Sequence, residues 1–513
     1  MLQVELIAPI ATLLDRHAKR RPEQLAYWDA SRSITYAQLA ERTASIAANF
    51  SKVGVREGDK IAIYLPNGVD WVEACFGGLR AGAVLVPISY EAAQGEISYR
   101  LADAGCTAIV TTAARKDLIA KIRGDTGSSP QMVYAGPGAE EAGLSMSALA
   151  SSAEERPLDP EDIDRTSFII YTSGTTGRAK GVLLSVRSML WISAACWGPI
   201  CELSDKDVIL SPLPLFHSYA LNLSVLTVLA IGASEHILEK FSPQLVLELM
   251  QTGKYSVFPG VPTMFHYLLN RAKEGGVERL GKMRLCISAG AIMPATLNRS
   301  FEERFKTPLL DGYGITETST MVTMNWLHGA RLMGSCGLPV PGLAVRIVDP
   351  TTNEDVPIGA EGELIVRGPN LMKGYHNKSA ETEAALRSGW YHTGDLAKSD
   401  LSGYLTITGR LKELIIRGGQ NIAPAEIEEV VVRHSQVLDC AVVGIKHATL
   451  GEVPCLFVVA RESELDIASL IDHCRAHLSS YKIPEATHVV AEIPRTGSGK
   501  IMRYRLVEAL KLK

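Results

Sequence analysis

Short apolar runs recur along this chain with helical stretches between them: Lys60 to Tyr64, Ala108 to Thr111, Phe168 to Tyr171, Val208 to Ser211 and Arg284 to Ser288. A strand apolar on both faces must be covered on both faces, the condition of parallel strands flanked by helices. The expected fold is therefore α/β, with mixed, mainly parallel sheets in a large N-terminal domain. From about Ala344 the pattern changes to short strands, Val345 to Val348, Gly362 to Val366 and Tyr404 to Thr408, punctuated by Gly and Pro, which predicts a β-rich subdomain. Beyond Gly409-Arg410-Leu411-Lys412, Pro424 to His434 reads as a helix, and Ala441 to Ile445 and Cys455 to Ala460 read as strands. The reading divides the chain into residues 1–410 and a small α+β domain, 411–513. Thr126 to Asp164, rich in Gly, Ser, Ala, Pro and acid, is expected to be a surface excursion.

At 513 residues the chain is too long for one ordinary core. The 52 basic and 56 acidic residues leave a net charge of −4 and form no basic stripe, so nucleic acid is not an expected partner. Nine scattered cysteines without a CxxC pair fit a reduced, cytoplasmic protein better than a disulfide framework or a zinc site. Met1 to Leu14 has no basic, then apolar, export pattern, and the most apolar stretch, Tyr219 to Gly232, is too short to span a bilayer; a buried core helix is expected there, with peripheral membrane contact left open.

The residues that point to chemistry begin between Tyr171 and Lys180. Thr172, Ser173, Gly174, Thr175, Thr176 and Gly177 lie between two apolar runs, followed by Arg178 and Lys180. A strand, a loop of hydroxyl and glycine residues and a second strand make a phosphate-gripping hairpin, because glycine lets the backbone approach and N–H and O–H groups donate. The spacing is not that of a Walker loop. A second group is Asp311-Gly312-Tyr313-Gly314-Ile315-Thr316-Glu317: a ring for a base to stack on, a hydroxyl for a phosphate, and a hard oxygen ligand for Mg²⁺ in Glu317. A third is Trp390 to Asp395, where a turn carboxylate can accept both ribose hydroxyls, with Arg410 in reach of the same sugar. The fourth, Pro494 to Lys500, presents a lysine on a Gly-Ser-Gly loop, where an exposed charge is expected.

In order and spacing these groups resemble the motifs of the adenylate-forming superfamily, which includes acyl-CoA synthetases, firefly luciferases and peptide-synthetase adenylation domains, and the resemblance covers essentially the whole chain. The acyl-CoA synthetase and 4-coumarate-CoA ligase branch is the nearest in pattern, through Leu213 to Asn222, Gly409 to Ile415 and Gly418 to Glu428. The resemblance implies a two-step reaction: a carboxylate and ATP give an acyl-adenylate and pyrophosphate, and a thiol then takes the acyl group. It implies ATP, Mg²⁺ and CoA, or phosphopantetheine on a carrier protein. It assigns Lys500, Glu317 and Thr316 to catalysis, Thr175 with Thr316 to the phosphates, Ser288-Ala289-Gly290 with Asp311 to Tyr313 to adenine, and Asp395 with Arg410 to ribose. His217 is either the gate between acyl and thiol channels or a core histidine; Lys412 matches the hinge of the branch that uses Lys rather than Asp, and Gly419, beside Gly418, the glycine that lets pantetheine pass. A mobile C-terminal domain would swing after adenylation. Arg178 stands where many relatives carry Pro, at the loop tip.

By the same likeness the acyl pocket is lined by Tyr219, Leu223, Val261, Met264, Ala289 to Ile292, Met321 and Val322, with Gly312 leaving room along its floor. Such a lining favours an aromatic or medium-chain aliphatic acid over a dicarboxylate, whose second charge would need a buried cation. Two alternatives stay open: a ligase that loads a carrier protein, and a non-catalytic nucleotide sensor, against which the intact Lys500, Glu317 and Asp395 argue. The assembly is expected to be a monomer or homodimer.

Overall fold

A computed structural model describes residues 2–126, 130–151, 153, 155–172, 179–418, 420–461, 465–496 and 499–511. Two compact units emerge, one from Met1–Met333, Gly337–Ala344 and Arg367–Gly389, the other from Gly334–Cys336, Val345–Val366 and Trp390–Lys513.

The apolar runs become the central strands of the first unit's two sheets. One sheet is ordered Leu338–Pro339, Thr323–Met324, Leu309–Tyr313, Leu285–Ser288, Val257–Gly260, Val208–Ser211, Ser234–Ile237, Leu25–Trp28 and Ser33–Thr35. Its interior strands pair in parallel, and antiparallel strands finish both edges. The other is ordered Gly374–Tyr375, Lys180–Ser185, Thr166–Thr172, Val84–Pro87, Lys60–Tyr64, Cys106–Thr112 and Gln131–Ala135. The last strand corrects the expected surface excursion: Val133, Tyr134 and Ala135 are buried, because Gln131–Ala135 pairs in parallel with Cys106–Thr112. A short apolar run inside polar sequence hid this edge strand.

The apolar stretch from Tyr219 is a buried helix, as its composition requires, but its middle, Leu221–Thr227, is wound as a π-helix. The fully buried Asn222 explains how a polar residue is tolerated there: Trp197 Nε1 donates to its Oδ1 (2.6 Å), and its Nδ2 donates to the Met189 carbonyl (2.8 Å). Thr227 Oγ1 donates to the Asn222 carbonyl (2.8 Å), satisfying an acceptor of the wide turn. Among the described residues no helix is long and apolar enough to cross a membrane.

In the second unit the four-stranded sheet runs Ala344–Val348, Gly362–Arg367, Tyr391–Ser399, Leu405–Arg410. The remaining sheet is built on the long antiparallel pair Val437–His447 and Gly451–Ala460, whose side chains alternate between two cores. Cys440, Val442, Leu456 and Val458 pack with Ile427, Val431 and Leu470 from the helices Pro424–Val431 and Ile467–His477. Ala441, Val443, Cys455 and Phe457 pack with Leu506 of the helix Arg503–Lys511. The helix expected over Pro424 to His434 thus ends at Val431. All nine cysteines are buried, free thiols.

One buried acid sets a stability dependence. Glu235, in the strand Ser234–Ile237, is fully buried, and neither carboxyl oxygen has a hydrogen-bond partner. The adjacent Ser224 hydroxyl is committed to Ser211 (3.0 Å). Burial pushes the Glu235 carboxyl well above its ordinary 4.5, with Ser224 opposing only weakly. The folded chain therefore keeps a proton that the unfolded chain releases, so this group's contribution is intact below pH 4.5 and is lost as the pH rises. Above that pH the loss runs at up to about 1.4 kcal/mol per pH unit. In Glu235→Gln that slope should vanish: the melting temperature of the variant relative to wild type should rise from pH 5 to pH 8. A constant offset across that range would show that Glu235 does not titrate with folding.

Candidate active site

The phosphate-loop hairpin forms as its sequence requires: Thr166–Thr172 pairs antiparallel with Lys180–Ser185, and Thr172 faces Lys180 across the ladder. Ser173, Gly174, Thr175, Thr176, Gly177 and Arg178 lie outside the described residues. Lys180 extends from the exit strand over the ring of Tyr375, its Nζ 4.9 Å from the centroid.

The second group occupies the end of the strand Leu309–Tyr313 and the turn that follows. A Cβ on Gly314 would lie 1.5 Å from the Thr320 carbonyl oxygen, so only glycine permits the chain to fold back here. Ser319 and Thr320 take φ of 51° and 110°, strained for side-chain-bearing residues, and both are buried. The fold-back is held by Asn370, whose Nδ2 donates to the carbonyls of Thr318 (2.8 Å) and Met321 (3.0 Å), and by Thr320 Oγ1 donating to the Ser218 carbonyl (2.9 Å). Thr316 Oγ1 then sits 3.1 Å from Ser218 Oγ, and Glu317 receives the Tyr375 hydroxyl on Oε1 (3.1 Å).

Residues 372–376 tie the two groups together. Met372 N–H donates to the Glu317 carbonyl (2.8 Å), Lys373 N–H to Leu183 (2.9 Å) and His376 N–H to Gly181 (2.7 Å). Gly374 and Tyr375 pair with Leu183 and Val182. The exit strand of the loop, Lys180, Tyr375, Glu317 and Thr316 thereby form one connected cluster. Tyr375, Asn370 and Ser218 were not found from sequence. Ser218 lies inside the Leu213 to Asn222 motif without a role of its own, Asn370 and Tyr375 lie in stretches with no periodicity or spacing signal, and only the pairing of distant segments gives the three their place.

Ser288 and Asp311 are register partners on neighbouring strand ends, both buried. Burial drives the Asp311 carboxyl well above its ordinary value, opposed by Ser288 and the Gly312 N–H, and its Oδ1 has no hydrogen-bond partner. Beside them Ala289 is buried, Gly290 takes φ 87°, and Tyr313 caps the strand, its carbonyl accepting from Val322 N–H (2.8 Å). Ser288 and Asp311 thus set two buried polar side chains at this edge of the sheet.

His217 caps the short helix Ser218–Ala220, its Nδ1 accepting from Tyr219 N–H (3.3 Å), and is half-buried. Tyr219 stacks on Trp197 (6.2 Å between centroids) and donates its hydroxyl to the Ile287 carbonyl (3.2 Å). Leu223, Val261, Met321 and Val322 are buried and Met264 half-buried. Two expectations change. Ile292 is 44% exposed and does not share the buried lining. The space beside Gly312 is filled: a Cβ there would meet the methyls of Met321 and Met324 at 2.5 and 2.8 Å and the Thr323 carbonyl at 2.8 Å. Two flexible thioethers, not a void, occupy that floor.

In the second unit, Asp395 and Arg410 are register partners and form an ion pair (2.6 Å) with Asp395 buried. The turn before Asp395 is organised by Glu363, another residue missed from sequence. Its carboxylate contacts His392 Nδ1 (2.9 Å) and accepts from Gly394 N–H (3.0 Å). Lys412 is exposed on the single helical turn Leu411–Glu413, and Gly418 takes φ 55°; Gly419 lies outside the described residues. Lys500 is half-buried rather than exposed, since its loop closes as a bridge between Arg495 and Ile501. Arg495 anchors that bridge through Asp439 (2.9 Å).

With this geometry in view, the likeness to known proteins is specific. Residues 14–376 match the AMP-binding enzyme family, and residues 426–500 match the AMP-binding enzyme C-terminal domain. A feruloyl-CoA synthase of Amycolatopsis sp is 32% identical over 95% of this chain and 96% of its own length. A long-chain-fatty-acid–CoA ligase of Yersinia pestis is 32% identical over 96% and 93%. The solved structure of the anthranilate CoA ligase AuaEII with anthranoyl-AMP superposes with a TM-score of 0.91 at 25% identity, covering 99% of this chain and 98% of that one. A loop-bearing hairpin joined to a Thr-Glu turn, on a chain matched at both ends, has one reading: this protein belongs to the AMP-binding enzyme family.

Proposed function

We propose that this protein is an AMP-forming acyl-CoA synthetase: it activates a carboxylic acid with ATP through an acyl-adenylate and transfers the acyl group to the thiol of CoA. The observation that carries the reading is the cluster in which residues 372–376 join the loop's exit strand to Thr316 and Glu317. In the first step a carboxylate oxygen attacks the α-phosphorus and the bond to pyrophosphate breaks. Two anions must meet, so catalysis consists of positioning and charge compensation. Lys500 supplies an ammonium between them, the loop and Thr316 hold phosphate oxygens, Ser288 to Gly290 and Asp311 to Tyr313 frame adenine, and Asp395 with Arg410 holds ribose.

Mg²⁺ is an ion held by one or two carboxylates plus substrate phosphates. Glu317 fits that part, with Tyr375 orienting its carboxylate. Bound there, Mg²⁺ would offset phosphate charge. In the second step the C-terminal domain, taken as 411–513, turns about Lys412 and brings Gly418 and Gly419 to the thiol channel, with His217 as the gate. A cytoplasmic location is part of the proposal, supported by the buried, free thiols, which suit a reducing compartment.

Tyr219, Leu223, Val261, Met264, Met321 and Val322 include no cation, which favours an aromatic or medium-chain aliphatic acid. The names of the relatives span aromatic and fatty acids. A carrier protein as acceptor is the second reading, since the chemistry is the same. A panel of carboxylic acids scored by AMP release, with CoA or with carrier protein, decides both. No AMP release with any acid or acceptor would overturn the proposal.

Lys500→Ala should lower pyrophosphate exchange by roughly 10²-fold or more while sparing thioester formation from supplied acyl-adenylate, because only adenylation places charge where this ammonium acts. Exchange at the wild-type rate would remove Lys500 from that role. Tyr375→Phe deletes the bond to Glu317 but keeps the ring beneath Lys180. We expect pyrophosphate exchange to fall about tenfold, with a raised Mg²⁺ requirement and an unchanged melting temperature. An unchanged Mg²⁺ dependence would mean that Tyr375 serves only the fold.

A further inference from the structure

The segment that follows Arg410 is one helical turn, Leu411–Glu413, and it leads into Ile415, whose side chain is buried in the core of the sheet beyond. We propose that two ion pairs bracket this turn and confine the swivel of the C-terminal domain to Leu411 and Lys412, which makes Glu413 and Arg503 positioning residues for thioester formation. The inference rests on the acyl-CoA synthetase reading.

On the upstream side, Arg410 is fixed twice, by its ladder pairing with Asp395 and by its ion pair to the same residue at 2.6 Å. On the downstream side, Glu413 Oε2 meets Arg503 Nε at 3.0 Å. Arg503 is itself bound on every side. Its Nη1 and Nη2 contact Glu428, the latter at 3.1 Å, and Nη1 donates to the Val442 carbonyl at 2.9 Å. Glu428 in turn accepts from Val442 N–H (2.7 Å). Burial works against the Arg503 charge, but Glu428 and then Glu413 more than offset it and hold the guanidinium above its ordinary range. Glu413 is thereby fastened to the helices Pro424–Val431 and Arg503–Lys511 and to the strand Val437–His447.

Between the two pins lie only Leu411 and the exposed Lys412. A rotation about the backbone between two fixed ends uses the dihedrals that lie between them, and here those belong to these two residues. Arg503 also begins the helix three residues after Lys500, so one guanidinium sets both the exit of the swivel and the far end of the lysine's hairpin. The two half-reactions should feel its loss unequally. Adenylation has a tether of its own, an ammonium between two anions, whereas thiol transfer depends on the hinge to aim the domain.

The test uses the full-length enzyme with Glu413→Ala and Glu413→Gln. Arg503 keeps Glu428 and the Val442 carbonyl in both, so melting temperatures should stay within about 2 °C of wild type. Pyrophosphate exchange should stay within about threefold, while thioester formation falls about tenfold in Glu413→Ala and less in Glu413→Gln, whose amide oxygen still accepts from Arg503. Amide hydrogen exchange over residues 411–414 should quicken in Glu413→Ala; this arm needs no substrate, so it decides the bracket even if the acid-panel assay overturns the synthetase reading. Wild-type hydrogen exchange, a wild-type thioester rate in Glu413→Ala, or equal loss of both half-reactions with a lowered melting temperature would each overturn the proposal.

Discussion

The tightest constraint in the first unit is the approach of the Thr320 carbonyl to the α-carbon of Gly314. No side chain fits between them, and the two residues before the contact closes, Ser319 and Thr320, are held at positive φ to make it. Strain of this kind costs on the order of 1–3 kcal/mol per residue and persists only where the surroundings over-determine it. Here they do: Asn370 binds two carbonyls of the fold-back, and Thr320 itself binds Ser218. What the strain secures is the position of Thr316 and Glu317, presented by a turn that cannot relax without breaking buried hydrogen bonds.

The same economy governs the charges. Lys180 is held over an aromatic face rather than against a carboxylate, and that ring's hydroxyl serves Glu317. Tyr375 thus meets a cation with its ring and an anion with its hydroxyl. Asp311, by contrast, is pushed by burial toward its uncharged form. Within the second unit, Asp395 is paired with Arg410, and Arg503 with Glu413 and Glu428.

Much of this was legible in advance. The parallel strands were found because a strand covered on both faces needs a continuous apolar run, as Lys60 to Tyr64 and Val208 to Ser211 show. The hairpin Thr166–Thr172 and Lys180–Ser185 was found because two apolar runs separated by a short glycine and hydroxyl segment are placed to pair. The strand Gln131–Ala135 was missed: an edge position needs only a few apolar residues, and they were lost in polar sequence. The room imagined beside Gly312 was wrong for a related reason. A missing side chain signals space only if no neighbour fills it, and Met321 and Met324 do.

The α/β class, the hairpin strands and the Thr-Glu turn were readable from the chain alone, because each is written in consecutive residues whose chemistry is local. The tertiary structure alone decided which groups act together. Tyr375 reaches Glu317 across 58 positions, Glu363 organises the turn of His392 across 29, and Arg503 pins Glu413 across 90. Such contacts leave no periodicity and no spacing in the chain; they exist only once strand pairing and burial have brought the segments together, since a side-chain hydrogen bond or ion pair depends on distance in space and not on distance in sequence.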